Sequence, residues 1–296
     1  MNPPRISSPE RLALNHETAH DPFVIKEQYD DFGLNVKLRW KAYDYARESF
    51  DFIEDVYKKS GIQPTDSLLD IGCNDGVEMY HIKNAGHHIG RLTGLDINLM
   101  PLDLADKRQK IHNQPMNFVR GSADDLPFKA NSFDAAMSLF TLYHANHPAK
   151  SLGEIQRVVK KDGRVILSTS GRQNKQKHRA FEADIAEQLD IDRPGIFAKS
   201  FISEQAGKLI GKYFTIVEQV NHITEMVITK DSIRDYYYSL WSMRSAFNPI
   251  PNTQDYYQQL AVIEQKIKSE IDASPNGEFI DSIDRTYYIV RNDQKK

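Results

Sequence analysis

Short apolar segments alternate with helical patterns between residues 67 and 168, and this alternation constrains the fold more than any other feature. The apolar segments are residues 67–72, 92–97, 117–120, 133–140 and 164–168. The helical patterns between them cover about residues 76–85, 100–112 and 148–161. Strands that alternate with helices pair into a parallel sheet, and they are apolar throughout because helices cover both faces. The sequence therefore predicts a doubly wound α/β core, whose ligands bind at the carboxyl ends of the strands.

The segments outside this core predict additional helices and two more strands. An aromatic-rich helix is predicted over residues 37–60, since Gly61 follows where a helix often ends. Later helices are predicted at about residues 177–190, 203–212, 231–247 and 253–272, and strands at 214–229 and 287–290. The expected organisation is a flexible segment (1–22), a helical lid (23–62), the ligand-binding core (63–230), an inserted helical cap (231–280), and a last core strand with its tail (281–296).

Composition and charge narrow the class of protein. Cys73 is the single cysteine, so neither a disulfide within the chain nor a cysteine metal cluster is expected, and a cytoplasmic location is predicted. No apolar run reaches the ~18 residues of a membrane helix. Residues 1–22 lack the apolar segment of a signal peptide. The net charge of −3 does not favour a nucleic acid partner, and the basic run at 172–179 is interpreted as solvent-facing.

The loop after the first predicted strand, residues 69–76, is the sharpest local signal. A glycine there lets the backbone turn tightly against a ligand, and the next helix offers free N–H groups. A dinucleotide-binding fingerprint would need glycines at 72, 74 and 77. The chain has Gly72, Asn74 and Val77, so this fingerprint fails at two positions, while Gly76 supplies a different spacing. Asparagine tolerates positive φ better than most residues, so Asn74 can stand in for a glycine.

Four further segments follow the glycine loop in a regular order. Asp96 ends the second predicted strand, where a carboxylate can accept hydrogen bonds from both hydroxyls of a ribose. The third segment is GSADDLPF, at residues 121–128. The fourth runs from residue 133 to 144, and the fifth is EIQRVVKKDGR, at residues 154–164.

Together these five segments resemble the class I methyltransferases that use S-adenosylmethionine (SAM). The branch is that of small-molecule enzymes of the type 11 and 25 groups, with "GxAxxLPF" and "E-x-x-RVL-x-PGG" segments. The resemblance is strong over about residues 65–170 and weak over 20–60 and 200–292. This chain has Lys161-Asp162-Gly163 where the family often has Pro-Gly-Gly, and Ser122 where it often has aspartate. The resemblance implies a Rossmann-like, seven-stranded, mostly parallel sheet, with N-terminal helices and a helical cap before the last strand.

The same resemblance implies SAM as cofactor, with S-adenosylhomocysteine (SAH) as its product. It implies that the backbone near Gly72 holds the methionine part, that Asp96 holds the ribose and that Ile97 packs on the adenine. Tyr29 would close over the cofactor. The residues implied to bind it are Asp70, Gly72, Cys73, Asn74, Gly76, Asp96, Ile97, Ser122, Ala123, Asp124, Leu139, Phe140 and Tyr29.

The loop after the fourth predicted strand carries the candidate catalytic residues, Tyr143, His144 and His147. An imidazole titrates near neutral pH, so His144 is suited to take a proton from an acceptor hydroxyl. The resemblance places Tyr237 and Trp241 in a lid helix, and with Tyr143 and His144 they form the predicted acceptor site. No metal site is predicted, because neither a carboxylate nor a cysteine accompanies the two histidines.

Three functional hypotheses stay open at this point. The first is methyl transfer to an oxygen or nitrogen of a small, specialised metabolite, since an inserted cap suits a compact acceptor. The second is methylation of RNA or protein, for which the basic run at 172–179 is the one supporting feature. The third is a non-catalytic SAM-binding protein, because Asn74 and Ser122 depart from the family pattern. No membrane partner is expected, and a homodimer is neither required nor excluded.

Overall fold

The computed structural model describes residues 42–48, 50–87, 90–180, 201–233 and 254–294. These residues belong to two compact units. One unit comprises residues 50–172, 199–222 and 284–296, and the other comprises 1–49, 173–198 and 223–283.

Seven strands form a single sheet. They are β1 (Leu68–Ile71), β2 (Leu92–Asp96), β3 (Asn117–Arg120), β4 (Phe133–Ser138), β5 (Val159–Ser170), β6 (Thr215–Ile228) and β7 (Phe279–Arg291). The order across the sheet is β3-β2-β1-β4-β5-β7-β6. The first five strands pair in parallel, whereas β7 is antiparallel to β5. The predicted seven-stranded, mostly parallel α/β sheet is confirmed.

Helices cover both faces of this sheet. They are α1 (Phe52–Ser60), α2 (Val77–Asn84), α3 (Leu99–His112), α4 (Pro148–Val158) and α5 (Ser203–Ile210). A sixth helix, α6 (Gln254–Ala273), belongs to the other compact unit. One buried cluster joins α1, α2 and α3 to the sheet, and a second joins α4 and α5 to it, so the strands are enclosed between two apolar layers. None of the helices in the described ranges is both long and apolar enough to span a membrane.

The aromatic-rich helix predicted over residues 37–60 is wrong for the described residues between 42 and 51. A short 3-10 helix occupies Ala42–Tyr45, and α1 begins only at Phe52. Asp51 sets this start, because its side chain accepts a hydrogen bond from the N–H of Glu54 at 2.9 Å and caps the helix. The predicted flexible segment (1–22) and the part of the predicted lid before residue 42 lie outside the described residues.

The turn predicted at Asp162-Gly163 is a bulge inside a long strand. Helix α4 ends at Val158, and β5 spans Val159–Ser170. Asp162 has a φ of 62°, and the pairing of β4 with β5 shifts register between Phe133 and Ala135. The N–H of Asp162 donates to the carbonyl of Asn292 at 2.8 Å, so pairing beyond the end of β7 extends the strand.

The last strand is longer than the sequence indicated. Residues 287–290 were the predicted strand, but β7 begins at Phe279, inside the segment assigned to the cap. Its second half pairs with β5 from Arg164↔Arg291 to Ser170↔Arg285. A partner distant in sequence sets this length, which the local pattern of residues 279–286 does not reveal.

The basic run at residues 172–179 is not uniformly solvent-facing. Asn174, Lys175 and His178 are buried. The Asp281 carboxylate accepts hydrogen bonds from the N–H groups of Lys177 and His178, both at 3.0 Å, and so caps the helical turn that starts there. The interpretation of this run as a solvated segment is therefore wrong at three positions, and the run does not present a continuous basic surface.

Candidate functional site

The loop after β1 is tied closely to its neighbours. The N–H groups of Gly72 and Cys73 both donate to the carbonyl of Leu95 on β2, at 2.7 and 3.0 Å. Gly72 has a φ of 80°, and a Cβ built there would lie 2.2 Å from Thr141 Oγ1. Glycine is therefore required at position 72 both by conformation and by the close approach of Thr141.

Asn74 occupies the left-handed region that its position in the loop requires, with a φ of 49°. Its N–H donates to Asp96 Oδ2 at 2.9 Å, whereas its side-chain Oδ1 is buried and has no hydrogen-bond partner in the described part of the chain. Gly76, with a φ of 73°, then begins α2. Asn74 thus adopts the backbone conformation that a glycine would have, and its Oδ1 adds a buried acceptor atom to the loop.

The Asp96 carboxylate lies at the carboxyl end of β2, as the sequence predicted, and faces the glycine loop. Its Oδ2 accepts the N–H of Asn74, and its Oδ1 accepts the N–H of Asn98 at 2.9 Å. Burial raises the pKa of Asp96, and the backbone N–H donors of Asn98, Asn74 and Ile97 oppose this rise. A carboxylate oxygen has about two acceptor positions, so each can take a second donor from a ligand.

Several acidic side chains are buried around the glycine loop. Burial, together with the nearby carboxylates of Glu78 and Asp96, raises the pKa of Asp70 well above its usual range. Burial also raises the pKa of the Cys73 thiol, whose sulfur packs against Gly94 in the core. The Asp70 Oδ2 atom has no hydrogen-bond partner among the residues described. The cluster is therefore suited to a ligand with positive charge.

Glu78, in the first turn of α2, has a pKa raised to about 7 by burial, although its own backbone N–H lowers it in part. Its usual value is 4.5, so between these values the folded chain holds a proton that the unfolded chain releases. The contribution of this protonated side chain to the free energy of unfolding is therefore fully present below pH 4.5 and is lost as the pH rises through 7. We expect Glu78→Gln to be more stable than the unchanged protein at pH 8, by on the order of 1 kcal/mol, and to lose that advantage at pH 5.

Urea unfolding of both proteins at pH 5 and pH 8, without ligand, measures this difference. Glu218→Gln removes an exposed glutamate on β6 and serves as the matched control. An advantage of equal size at both pH values would show that the gain does not come from the titration of Glu78.

The segment after β3 forms a compact turn at the same edge of the sheet. Ser122 Oγ accepts the N–H of Asp124 at 3.2 Å, and the carbonyl of Ser122 accepts the N–H of Asp125 at 3.1 Å. One oxygen of Asp124 accepts a short hydrogen bond from Ser151 on α4. Ala123 and Ile97 are half-buried beside this turn. Asp124 is thus oriented by α4, a contact that the sequence motif did not indicate.

The Glu154–Arg157 pair of the fifth sequence segment has a supporting role. The Glu154 carboxylate accepts the N–H of Leu126 at 2.9 Å, and Arg157 donates to the carbonyls of Leu126 and Phe128. The hydrogen bond from Arg157 lowers the pKa of Glu154 and keeps it charged. The pair therefore holds the loop after β3 in place.

The residues that follow β4 pass close to the glycine loop. Leu139 is buried, and Phe140 adopts a φ of 51°, unusual for a residue with a large side chain. The N–H of Phe140 donates to Ser168 Oγ on β5 at 2.9 Å, which holds the turn. Thr141, which the sequence analysis did not single out, packs directly on Gly72.

Two of the three candidate catalytic residues are in ring contact. The rings of Tyr143 and His144 are adjacent, with centroids 4.3 Å apart, and Tyr143 packs against the apolar layer of α4 and α5. His147 is exposed, and its carbonyl accepts the N–H groups of Lys150 and Ser151 at the start of α4. Their roles remain predictions.

Tyr29, Tyr237 and Trp241 lie outside the described residues, so their predicted roles also remain predictions. Glu78 is a residue that the sequence reasoning missed. Its position two residues after Gly76, in the first turn of a helix that opens on the loop, was the available signal.

Comparisons with known proteins agree with this geometry. Residues 69–167 match the model of a family described as a methyltransferase domain. A 2-phytyl-1,4-naphtoquinone methyltransferase from Nostoc sp. is 31% identical over 131 residues, which are 44% of this chain and 57% of that protein. A ubiquinone/menaquinone biosynthesis C-methyltransferase from Agrobacterium fabrum is 31% identical over 106 residues, which are 35% of this chain and 41% of that protein. The matches thus span about half the length of these curated relatives.

A solved structure shows the same fold over most of the chain. A protein from Bacillus halodurans, named as a candidate methyltransferase, superposes with a TM-score of 0.56 at 16% identity. The superposition covers 82% of this chain and 99% of that one. At this identity the likeness concerns the fold alone, and it confirms the Rossmann-like architecture that the sequence predicted.

Proposed function

We propose that this chain, whose residues 69–167 match a methyltransferase domain, transfers a methyl group from SAM to a small-molecule acceptor. The observation that carries this proposal is the Asp96 carboxylate, fixed by the N–H groups of Asn74 and Asn98. The two oxygens together have about four acceptor positions, which these N–H groups do not fill, so a ribose hydroxyl could also donate to the carboxylate.

The atoms around the glycine loop support a cofactor of positive charge. Asn74 Oδ1 and Asp70 Oδ2 are buried acceptors without partners in the described ranges. Buried acceptors of this kind are normally satisfied, and the ammonium of the methionine part could donate to them. A positively charged ligand would also lower the raised pKa values of Asp70, Glu78 and Asp96 and so favour their charged forms.

The chemistry divides between the cofactor and the chain. SAM supplies an electrophilic methyl group on a positively charged sulfur. In this proposal Leu139 and Phe140, which follow β4, would line the reacting side, keep water away and hold the acceptor in line with the methyl group. A base is needed only where the acceptor atom loses a proton, and His144 or Tyr143 would take it.

The acceptor in this proposal is a planar ring compound. Transfer to oxygen or nitrogen is the prediction from the sequence. The relatives are named for quinones and one of them for C-methylation, so carbon is a third candidate atom for the acceptor. Aromatic side chains near the end of β4 support a ring acceptor: Phe52 lies 5.2 Å from Phe140 and 6.3 Å from Phe50, measured between ring centroids.

Methylation of RNA or protein receives less support. The basic run at 172–179 is interrupted by the buried residues Asn174, Lys175 and His178, so it offers no continuous surface for a phosphate backbone. A non-catalytic SAM-binding protein would keep the cofactor site without transferring the methyl group. Binding and transfer must therefore be measured separately.

Calorimetric titration of SAM and SAH into the purified chain tests the first half of the proposal. Micromolar binding of both is the expected result, and absence of binding would refute the proposed function. Incubation with methyl-labelled SAM and, in separate reactions, reduced naphthoquinones, total RNA or a protein extract tests the second half. Label in the small-molecule fraction is expected; label in RNA or protein would favour the second hypothesis, and binding without transfer would favour the third.

A further inference from the structure

Asp75 is a buried carboxylate in the glycine loop. It lies between Asn74 and Gly76, which both have a positive φ, at 49° and 73°. Only 6% of its side chain is exposed. Burying a carboxylate to this extent is costly unless a cation and hydrogen-bond donors compensate its charge. The partner of Asp75 is therefore part of what keeps the loop in its conformation.

Arg108, on α3, supplies both the charge and the donors. Its Nη2 donates to Asp75 Oδ2 at 2.7 Å, and its Nη1 donates to the backbone carbonyl of Asp75 at 2.9 Å. Its guanidinium carbon lies 5.3 Å from the centroid of the Tyr80 ring, and the Tyr80 hydroxyl donates to the carbonyl of Ala105 at 2.9 Å. Because one prong of the guanidinium contacts the main chain, Arg108 fixes the backbone of the loop as well as a side chain.

The same strand–helix unit also holds the residue before Asp75. The Asp96 carboxylate, at the end of β2, accepts the N–H of Asn74 and the N–H of Asn98, the N-cap residue of α3. Arg108 lies three turns further along α3, about 15 Å from Asn98 along the helix axis. Two consecutive residues of the loop are therefore tied to two separate points of β2 and α3, which fixes the loop relative to the Asp96 carboxylate.

Arg108 also offsets negative charge around the loop. Burial is the main cause of the raised pKa of Glu78, the Asp75 carboxylate raises this pKa further, and the Arg108 guanidinium lowers it. Without the guanidinium, Asp75 would be an uncompensated buried carboxylate near Glu78. Movement of the loop towards water would relieve this cost, so the ion pair and the loop conformation depend on each other.

We propose that Arg108 is a positioning residue for the cofactor: through Asp75 it holds the glycine loop in the conformation that receives the methionine part of SAM. This inference rests on the proposed function. The affinity of the protein for SAM and SAH then depends on a side chain of α3 that acts through Asp75. The five sequence segments do not mark this arginine, because only the packing of α3 against the loop brings it to Asp75.

Calorimetric titration of SAH into the full chain is the first test. We expect Arg108→Met to weaken SAH binding by about tenfold or more. Arg108→Lys keeps the charge but not the fork, so it should recover only part of this loss. Asp75→Asn should also weaken binding, and adding it to Arg108→Met should cause little further loss, because both changes break the same contact.

Lys110→Met is the matched control. It removes a cation from the same helix together with an exposed ion pair, since the partner of Lys110 is Asp106. SAH affinity in this variant should stay within about twofold of that of the unchanged protein.

Amide hydrogen exchange of the ligand-free protein is the second test, because it reports on the loop in the absence of any cofactor. The N–H groups of Cys73, Asn74 and Gly76 all donate to acceptors within the protein. Arg108→Met should raise their exchange rates by about tenfold and leave those of the β5 amides unchanged. A purely structural role of Arg108 would instead raise both sets of rates together.

Several outcomes would overturn the inference: unchanged SAH affinity in Arg108→Met, full recovery in Arg108→Lys, or exchange that rises equally in the loop and in β5. Asp75→Asn leaves the partly exposed Arg108 in contact with water and gives the same two readouts if Arg108→Met does not fold. Failure of SAH to bind the unchanged protein would count against the proposed function, and the exchange measurement would still decide whether Arg108 holds the loop.

Discussion

Asp96→Ala should weaken the binding of SAM and SAH by roughly 100-fold, since two charge-assisted hydrogen bonds are lost and each contributes about 1.5–3 kcal/mol. The effect has a second source within the protein. Without the carboxylate, the N–H groups of Asn74 and Asn98 lose their acceptors, so the glycine loop loses one of its ties to β2. Calorimetric titration of both ligands measures the change.

Two further variants separate these contributions. Asp103→Ala removes an exposed carboxylate from α3 and should leave both affinities within about twofold. Asp96→Asn keeps the shape and one acceptor oxygen but turns two N–H donors towards the loop, so its affinity should lie between those of Asp96→Ala and the unchanged protein. If Asp96→Ala bound SAH normally, the ribose would be held elsewhere.

Gly72→Ala should destabilise the fold by about 3 kcal/mol or more and abolish SAH binding. A Cβ at this position would lie 2.2 Å from Thr141 Oγ1, 2.4 Å from its Cγ2 and 2.7 Å from its Cβ. The loop or the turn after β4 must therefore move, and either movement distorts the proposed site. Urea unfolding gives the loss of stability, and calorimetry gives the loss of binding.

Gly86 offers a matched control for this prediction. Its φ of 74° is close to the 80° of Gly72, but a Cβ there would meet nothing within 4 Å. Gly86→Ala should therefore lower the free energy of unfolding by only about 1–2 kcal/mol, the strain of an alanine in the left-handed region, and should leave SAH binding intact. Combining Gly72→Ala with Thr141→Gly should recover part of the stability lost by Gly72→Ala alone. Equal losses for Gly72→Ala and Gly86→Ala would show that the contact with Thr141 is unimportant.

The sequence predicted those parts of the fold whose signals are local. The strand–helix alternation between residues 67 and 168 located the first five strands, because each is a short apolar run bounded by turn residues. The spacing from Gly76 to Asp96 placed a carboxylate beside the glycine loop. These features depend on neighbours in sequence, so a pattern sufficed to find them.

Features set by distant partners could not be predicted in this way. The first residues of β7 carry no pattern that separates a strand from the preceding cap. Thr141 gains its importance only from packing on Gly72. The burial of Glu78 likewise depends on how α2 meets the loop, and composition gives no indication of it. Tertiary contacts determined all three outcomes.

The place of β7 in the sheet also has a consequence for how the protein is made. The strand lies between β5 and β6, yet it is the last of the seven to be synthesised. Until residues 279–291 leave the ribosome, β5 lacks its sheet neighbour on that side, and β6 lacks the strand that joins it to the sheet. Nascent chains would therefore expose unpaired strand edges late in translation. Aggregation through these edges is what chaperones would have to prevent at that stage.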